Sequence, residues 1–248
     1  MLITESANLI KNSKHAVVLS GAGISTPSGI PDFRSTSGGL WEEFDPMEVA
    51  SLSVFRITPS KFFNWFRPMA KTIYEAAPNP AHLALAELEK RGYIQEIITQ
   101  NIDVLHQKAG SKNVHEVHGT TLGMTCTSCY EKFESERFLI NYIETGEIPL
   151  CSSCKQTLKP DVILFEEQLP VKIWNRAAKA IKNCDLLIVV GSSLEVKPVS
   201  NLPYSALAHG AKMIIINQSP TYIDSRADII IREDLADVLP SIAQGILN

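Results

Sequence analysis

The chain has 248 residues, 45% hydrophobic and 20% charged, with a formal net charge of −4, a composition typical of a globular protein that buries a sizeable core in one large domain or two. Its Lys and Arg residues form no cluster dense enough for a phosphate-backbone footprint, which argues against nucleic acid as the main partner. Nowhere do about 18 apolar residues run together, so we expect no membrane span.

The N-terminal part of the chain predicts a helix, a buried strand and a nucleotide site. Residues 1–14 have an amphipathic helical pattern without the basic start or apolar core of a signal peptide. Residues 15–20, HAVVLS, predict a buried strand, which breaks at Gly21 into a loop of small residues. Such a loop lets the main chain approach a pyrophosphate. Residues 29–34, GIPDFR, then add an aromatic ring and a guanidinium, so we interpret this loop as part of a nucleotide site, with a plain loop as the alternative.

Aromatic and Met residues are concentrated in residues 40–77, where Pro46, Pro59 and Pro68 interrupt them. We predict short helices that wall off a pocket, although a local apolar subcore would explain the same composition. A longer helix is predicted over residues 80–91, because Asn79-Pro80 opens it and Gly92 follows it.

Short apolar runs predict further strands that alternate, in the second half of the chain, with helices. Most of these runs are continuous, which is typical of strands covered on both faces. The alternation predicts an open, mostly parallel α/β sheet. The predicted strands are residues 94–99, 161–165, 185–190, 212–217 and 228–231, and the helices are residues 171–183, 199–209 and 234–246.

Four of the predicted strand ends carry small or polar residues where a buried strand would simply stop. They are GAG at 21–23, QNID at 100–103, GSS at 191–193 and Asn217. Ligands of parallel α/β sheets bind beyond the carboxyl ends of the strands. Agreement among four strand ends therefore indicates a ligand site at this edge.

Four of the five cysteines form two CxxC pairs, Cys126 with Cys129 and Cys151 with Cys154, separated by 21 residues. This spacing brings four thiolates within tetrahedral reach of one Zn²⁺, each at about 2.3 Å. Four thiolates close the coordination shell, so we expect a structural metal. In a chain without an export signal, the pattern also favours metal over disulfides and a reducing compartment, so we expect a cytoplasmic protein.

Together these segments resemble the sirtuins, the NAD-dependent protein deacylases. The matches are GAGIS at 21–25, GIPDFR at 29–34, QNID at 100–103, His118-Gly119, the two CxxC pairs, KPDVILFEE at 159–167, GSSLEV at 191–196 and Asn217. The resemblance implies a Rossmann-like NAD-binding domain of residues 1–34, 78–118 and 159–248. It also implies a smaller domain, with a helical part at 35–77 and a zinc ribbon at 119–158.

The resemblance also assigns the NAD site. His118 would be the general base on the ribose hydroxyls, and the family's His-Gly pair selects it over His115. Imidazole suits this task because its reference pKa of about 6.5 keeps a neutral base available near pH 7. Asn101, the second catalytic residue, and Asp103 would hold the ribose and the nicotinamide carboxamide. The other implied NAD contacts are Ala22, Thr26, Phe33, Arg34, Gln100, Ile102, Ser192, Ser193, Asn217 and Leu235.

The substrate would be an acylated-lysine protein or peptide, added as a strand between residues 163–167 and 194–197. Ile163, Phe165 and Val196 would line the acyl-lysine tunnel. In the family's chemistry the acyl oxygen attacks the ribose carbon as nicotinamide leaves. This gives an imidate linked to ADP-ribose, which the neighbouring ribose hydroxyl then attacks with the help of His118. Water completes the reaction and releases free lysine and O-acyl-ADP-ribose, so NAD is consumed as a co-substrate. We expect the enzyme to act as a monomer.

The chain departs from the family pattern at several positions. Glu166 replaces a usual glycine beside the peptide site, Val104 replaces the glycine common after QNID, and Ser35 replaces another after the Phe-Arg pair. Phe66 and Met69 stand where relatives that remove acidic acyl groups carry Tyr and Arg. A carboxylate buried there would lack a partner, so we expect acetyl and longer apolar acyl groups to be preferred over succinyl.

Three alternatives remain open. An NAD-dependent dehydrogenase would need G-x-G-x-x-G followed about 20 residues later by an acidic residue that closes a second strand, whereas here Thr26 takes the third glycine position. A non-enzymatic zinc-ribbon module would leave the polar strand ends and His118 unexplained. A mono-ADP-ribosyltransferase shares the first half-reaction of the deacylase.

Overall fold

The computed structural model describes residues 1–32 and 44–248, and its main feature is a six-stranded parallel sheet, beside which lies a second sheet of three antiparallel strands. The strands are β1 (Ala16–Ser20), β2 (Glu96–Thr99), β3 (Val114–Glu116), β4 (Gly119–Cys126), β5 (Lys132–Glu134), β6 (Leu158–Val162), β7 (Leu186–Val190), β8 (Lys212–Ile216) and β9 (Ile229–Ile231). Their order is β3-β2-β1-β7-β8-β9 in the parallel sheet and β5-β4-β6 in the second. The predicted Rossmann-like, mostly parallel sheet with a smaller companion is confirmed.

Helices cover both faces of the parallel sheet. In the described ranges they are α1 (Leu2–Asn12), α2 (Pro46–Val49), α3 (Leu52–Ile57), α4 (Pro59–Glu75), α5 (Pro80–Lys90), α6 (Leu105–Ala109), α7 (Glu136–Thr145), α8 (Val171–Asn183), α9 (Leu202–Ala208) and α10 (Leu235–Leu247). One face packs on α1, α5 and α10 through Ile10, Leu85 and Ile242. The other packs on α8 and α9 through Ile181 and Leu202. Because both faces are covered, every residue of β1 and β7 is buried.

The order of the strands reverses at β1, which pairs with β2 on one side and with β7 on the other. Ser20 is in register with Thr99 and with Val190, so the segments that follow these three residues emerge side by side. A reversal of this kind opens a crevice at the carboxyl ends of the strands. The topology therefore places the polar strand ends on either side of one crevice.

A third hydrophobic cluster holds together a small lobe, formed by α2–α4, β4–β6 and α7. It contains Phe62 and Phe66 of α4, Tyr142 of α7, Met124 of β4 and Leu158 of β6. The rings of Phe62 and Phe66 stack with their centroids 5.2 Å apart. This lobe lies beside the carboxyl edge of the parallel sheet and supplies the second wall of the site.

Two of the predictions about local structure are wrong. The apolar run at 161–165 is not a strand of the parallel sheet, because the strand there is β6, which pairs antiparallel with β4 in the small sheet. The predicted domain division stays a prediction, and its boundary at residue 159 falls inside β6. The second wrong prediction concerns Pro68, which does not interrupt a helix but lies inside α4. The buried phenylalanines of this helix hold it in place despite the backbone hydrogen bond that proline cannot donate.

The described parts of the chain contain no helix that is both long enough and apolar enough to cross a membrane.

Candidate active site

The loops that follow β1 and β7 contact each other through glycines. The N–H of Gly21 donates to the Val190 carbonyl at 3.0 Å, and the N–H of Gly23 donates to the Gly191 carbonyl at 2.9 Å. A Cβ on Gly23 would lie 2.9 Å from the Gly191 Cα, and one on Gly21 would lie 2.7 Å from the Gly191 oxygen. The close packing of the two loops therefore requires these glycines. Main-chain atoms of these two loops therefore form the floor of the crevice between the ends of β1 and β7.

A buried polar network connects the residues after β2 to the loop after β1. Asn101 Nδ2 donates to the Gly21 carbonyl at 3.1 Å and to Ser25 Oγ at 3.0 Å. Ser25 Oγ donates to Asp103 Oδ2 at 2.6 Å, and Asp103 Oδ1 accepts from the Leu105 N–H at 2.9 Å. The network holds two predicted NAD residues, Asn101 and Asp103, against the glycine loop. Ser25 was not predicted as a site residue, and its only signal was its place in the GAGIS motif.

His118 lies between β3 and β4, beside the end of β2. Its Nδ1 is 3.0 Å from the Gln100 carbonyl oxygen. A carbonyl can only accept, so Nδ1 carries the proton and Nε2 holds the lone pair in the neutral ring. Gln100 Nε2 donates to Ser192 Oγ at 2.8 Å, and this hydrogen bond connects the segment after β2 to the segment after β7.

His115, the alternative base, lies within β3, where it is in register with Ile98 of β2. Its Nε2 is 2.6 Å from Glu96 Oε2, and Glu96 is the first residue of β2. The His115 ring therefore contacts the first residue of β2, whereas the His118 ring contacts Gln100, which follows the last residue of β2. Only His118 of the two has the geometry expected for the predicted base.

A cavity of about 300 Å³ lies between the small lobe and the carboxyl edge of the parallel sheet. His118, Gln100 and Ile102 line it on the side of the sheet. Its other walls are mainly apolar and include Phe62, Phe66, Met69, Ile163, Phe165 and Val196. The structure thus brings the predicted base and the three predicted tunnel residues into one cavity.

The predicted NAD residues of the first loop are described only in part. Ala22 begins a short 3₁₀ turn, and Thr26 Oγ1 donates to the Gly23 carbonyl at 3.0 Å. Phe33 and Arg34 lie outside the described residues. Their expected roles, covering the cleaved bond and placing the phosphates, stay predictions.

The predicted adenosine contacts lie along the carboxyl edge beyond β7. Ser193 follows β7, Asn217 follows β8, and Leu235 begins α10. Asn217 Nδ2 donates to the Ser219 carbonyl at 2.7 Å. Arg232 Nη1 donates to the carbonyls of Asn217 and Ser219 at 2.7 and 2.9 Å, which fixes the turn after β8. Sequence reasoning did not single out this arginine, because an isolated surface arginine gives no signal.

Two buried histidines lie next to the polar network. The rings of His82, in α5, and His106, in α6, pack edge to face with centroids 5.0 Å apart. His106 Nε2 is 2.9 Å from Ser20 Oγ. Burial lowers the pKa of His82 to about 4, although Asp103 opposes the shift, and burial lowers the pKa of His106 to about 3. Both rings are therefore neutral near pH 7.

The four cysteines of the CxxC pairs converge at one point of the small lobe. The Sγ atoms of Cys126, Cys129, Cys151 and Cys154 all lie within 4.8 Å of one another, and three of the pairs are 3.4, 3.6 and 3.7 Å apart. Zinc–sulfur bonds of about 2.3 Å give a tetrahedron with edges of about 3.8 Å, whereas a disulfide needs about 2.0 Å. The cluster fits one Zn²⁺ with no position left for a substrate. No other group of potential metal ligands comes as close within residues 1–32 and 44–248.

Comparison with known proteins gives one consistent result. The model of the Sir2 family matches residues 21–198. "NAD-dependent protein deacylase 2" of Archaeoglobus fulgidus is 45% identical over 245 residues, which are 98% of this chain and 96% of the relative. "NAD-dependent protein deacetylase 2" of Caldanaerobacter subterraneus subsp. tengcongensis is 47% identical over 242 residues, which are 97% of this chain and 94% of the relative. A solved Sir2 histidine-to-alanine variant with deacetylated p53 peptide and 3'-O-acetyl ADP-ribose has a TM-score of 0.92 at 36% identity, with 98% of each chain covered.

Proposed function

The chain belongs to the Sir2 family, and from that premise we propose that it is an NAD-dependent protein deacylase that removes acetyl and longer apolar acyl groups from lysine. Nicotinamide and O-acyl-ADP-ribose are the other products. The observation that carries the proposal is the cavity in which His118 and Gln100 face an apolar wall that includes Ile163, Phe165 and Val196. The acyl-lysine and the reactive end of NAD would meet in this cavity.

NAD supplies the ribose carbon that accepts the acyl oxygen, with nicotinamide as the leaving group. The crevice at the β1/β7 reversal suits a dinucleotide, because its floor is main chain and its rim carries buried polar groups. Asn101 and Asp103 would hold the ribose and the carboxamide, since both are buried and fixed against the first loop. Ser192 and Asn217 would take the adenosine half.

His118 would act as the general base on a ribose hydroxyl. Its Nδ1–H is directed at the Gln100 carbonyl, so the lone pair of the neutral ring is on Nε2. Both His118 and Gln100 line the cavity, so the main-chain contact fixes the tautomer and the orientation of the ring at the place where the hydroxyl would lie.

The apolar wall would receive the acyl chain and exclude water. Phe62, Phe66 and Met69 are buried and line the cavity. An amide oxygen is a weak nucleophile, so exclusion of water is needed for it to capture the ribose carbon first. Phe66 and Met69 offer no positive charge at the two positions where relatives that remove acidic acyl groups carry Tyr and Arg, which supports a preference for acetyl and longer apolar groups. Lys197, next to Val196 in the chain, is the one cationic side chain among the described lining residues.

The zinc site would be structural, because four thiolates close its coordination shell. Such a site needs reduced cysteines, and on that ground we propose a reducing compartment such as the cytoplasm. The partners would be acylated-lysine proteins. The monomeric state and the lack of nucleic-acid binding stay predictions.

The test is deacetylation of an acetyl-lysine peptide with and without NAD by the wild type, by His118→Ala and by His115→Ala. We expect turnover only with NAD, a loss of at least about 100-fold in kcat for His118→Ala, and little change for His115→Ala. Bound zinc and the unfolding midpoint of each variant would show that the fold is kept. Equal activity of the two variants, or turnover without NAD, would refute the proposal.

A further inference from the structure

The rim of the proposed peptide site carries Glu166 where the family pattern has glycine. Its backbone φ is +72°, in the left-handed region that glycine adopts readily and other residues rarely do. The main chain at this position therefore takes up a conformation typical of glycine. What the substitution adds is a side chain.

That side chain is held at the rim of the cavity. Glu166 Oε2 accepts from the Ser53 N–H at 2.9 Å, at the start of α3, where Ser51 Oγ accepts from the Val54 N–H at 3.3 Å. Glu166 is exposed and lines the cavity that contains His118. A main-chain amide satisfies a hydrogen bond without cancelling the charge of the carboxylate.

The ion pairs of the described residues do not neutralise the charge of the Glu166 carboxylate. The neighbouring Glu167 pairs with Lys159 at 2.9 Å, with side chains only 19% and 14% exposed. On the opposite wall, Lys197 lines the cavity and is exposed, and Glu195, two residues before it, is also exposed. Glu166 forms no ion pair with any residue of the described ranges. Glu166 is therefore the one charged residue of the wall at 163–167 that no described ion pair neutralises.

We propose that Glu166 is a specificity-determining residue that selects acylated lysines flanked by Lys or Arg. The inference rests on the proposed function, because it assumes that the peptide lies between residues 163–167 and 194–197. Residues one or two positions from the acyl-lysine would then pass within about 10 Å of the carboxylate, a range over which charges still interact at low salt. Basic flanking residues are attracted there and acidic ones are repelled.

The experiment compares kcat/KM for three acetyl-lysine peptides that differ only in their flanking residues, which are Arg, Gln or Glu. At low ionic strength the wild type should prefer the Arg peptide over the Glu peptide by roughly fourfold or more. The preference should shrink as salt is added, which tests the inference on the unaltered protein. Equal turnover of the Arg and Glu peptides at low salt would overturn it.

Two variants test whether the side chain of Glu166 causes the preference for the Arg peptide. Glu166→Gln removes the charge and keeps the shape, and Glu166→Gly restores a residue suited to positive φ, so at least one of them should fold. Both should lose most of the preference for the Arg peptide. Glu144→Gln, a charge change at an exposed residue of α7 that does not line the cavity, is the matched control and should keep the preference. A preference that persists in a folded Glu166 variant would refute the inference.

The outcomes separate this inference from the function on which it rests. If no peptide is deacetylated with NAD, the proposed function fails. If all three peptides are deacetylated equally well by the wild type, the function stands and the role of Glu166 fails.

Discussion

We propose that Phe66 and Met69 limit which acyl groups the proposed tunnel can hold. Both side chains are buried in α4 and line the cavity beside the predicted tunnel residues. Their positions could be read from the sequence only by counting along the family pattern. The structure adds the physical reason, which is that both belong to the apolar cluster of the small lobe.

Butyryl-lysine and succinyl-lysine peptides test this wall, because the two acyl groups are similar in length and only succinyl ends in a carboxylate. We expect kcat/KM for the butyryl peptide to exceed that for the succinyl peptide by at least about tenfold, since an unpaired carboxylate is costly to bury. The comparison uses the wild type and needs no mutation. Equal rates would show that a cation reaches the end of the tunnel.

Single residues differ in how much the sequence reveals about them. The choice of His118 over His115 depended on the family's His-Gly pair, and the structure adds that the His115 ring bonds Glu96, whereas the His118 ring bonds Gln100 beside the cavity. His106 gave no signal, because an isolated histidine in a helix looks the same whether it is buried or exposed. Its role depends on Ser20 and His82, which only the fold brings next to it.

At the scale of elements, periodicity predicted most helices and strands but not their partners. The helix predicted at 171–183 has the same bounds as α8. The run at 161–165 was assigned to the wrong sheet, because an apolar segment favours a strand without specifying which strand it pairs with. The strands β4 and β5 were not predicted individually, since the small lobe depends on a metal site and an aromatic cluster more than on long apolar runs.

Two glycines with positive φ offer a matched test of the contact between the β1 and β7 loops. A Cβ on Gly191 would lie 2.4 Å from the Ile24 nitrogen, whereas a Cβ on Gly210 would meet nothing within 4 Å. We expect Gly191→Ala to reduce the free energy of unfolding by about 3 kcal/mol or more, from backbone strain plus overpacking. Gly210→Ala should cost about 1 kcal/mol from strain alone.

Urea unfolding at pH 7 measures both losses. Equal losses would show that the loops separate easily and that their contact is not a rigid part of the crevice. A larger loss for Gly191→Ala together with weaker binding of ADP-ribose would link the contact to the nucleotide site.

At the scale of the whole molecule, stability should depend on pH through the buried histidine pair. The pKa values of His82 and His106 are lowered to about 4 and about 3 in the folded chain, against a reference near 6.5. Between these values the unfolded chain binds more protons than the folded chain, so the free energy of unfolding rises with pH. The stability that the histidine pair contributes is therefore fully present above about pH 6.5 and is lost as the pH drops toward 4.

Urea unfolding of the wild type and of His106→Gln at pH 7, 6 and 5 tests this dependence. Below pH 6 each ring contributes a slope of up to roughly 1.4 kcal/mol per pH unit, so the wild type should lose up to roughly 2.7 kcal/mol per unit. His106→Gln should show about half that slope. A wild-type stability that is unchanged between pH 7 and 5 would contradict the buried neutral state of the two rings.

The arrangement of the two lobes is the part that sequence reasoning could not supply. The polar strand ends predicted a site at one edge, and the reversal at β1 shows why their segments emerge side by side. The cavity itself depends on how α4 and residues 163–165 pack beside His118, which is a property of tertiary structure. Sequence patterns therefore located the polar strand ends and the apolar segments of the site, whereas the cavity between them is formed by tertiary packing.

The central claim is that an amide oxygen, protected from water in this cavity, captures the ribose carbon as nicotinamide leaves. It is tested most directly by mass spectrometry of all products after incubation with NAD and an acetyl-lysine peptide. We predict one nicotinamide, one free lysine peptide and one O-acetyl-ADP-ribose for each NAD consumed. Free acetate without loss of NAD, or reduced NAD as a product, would contradict the claim.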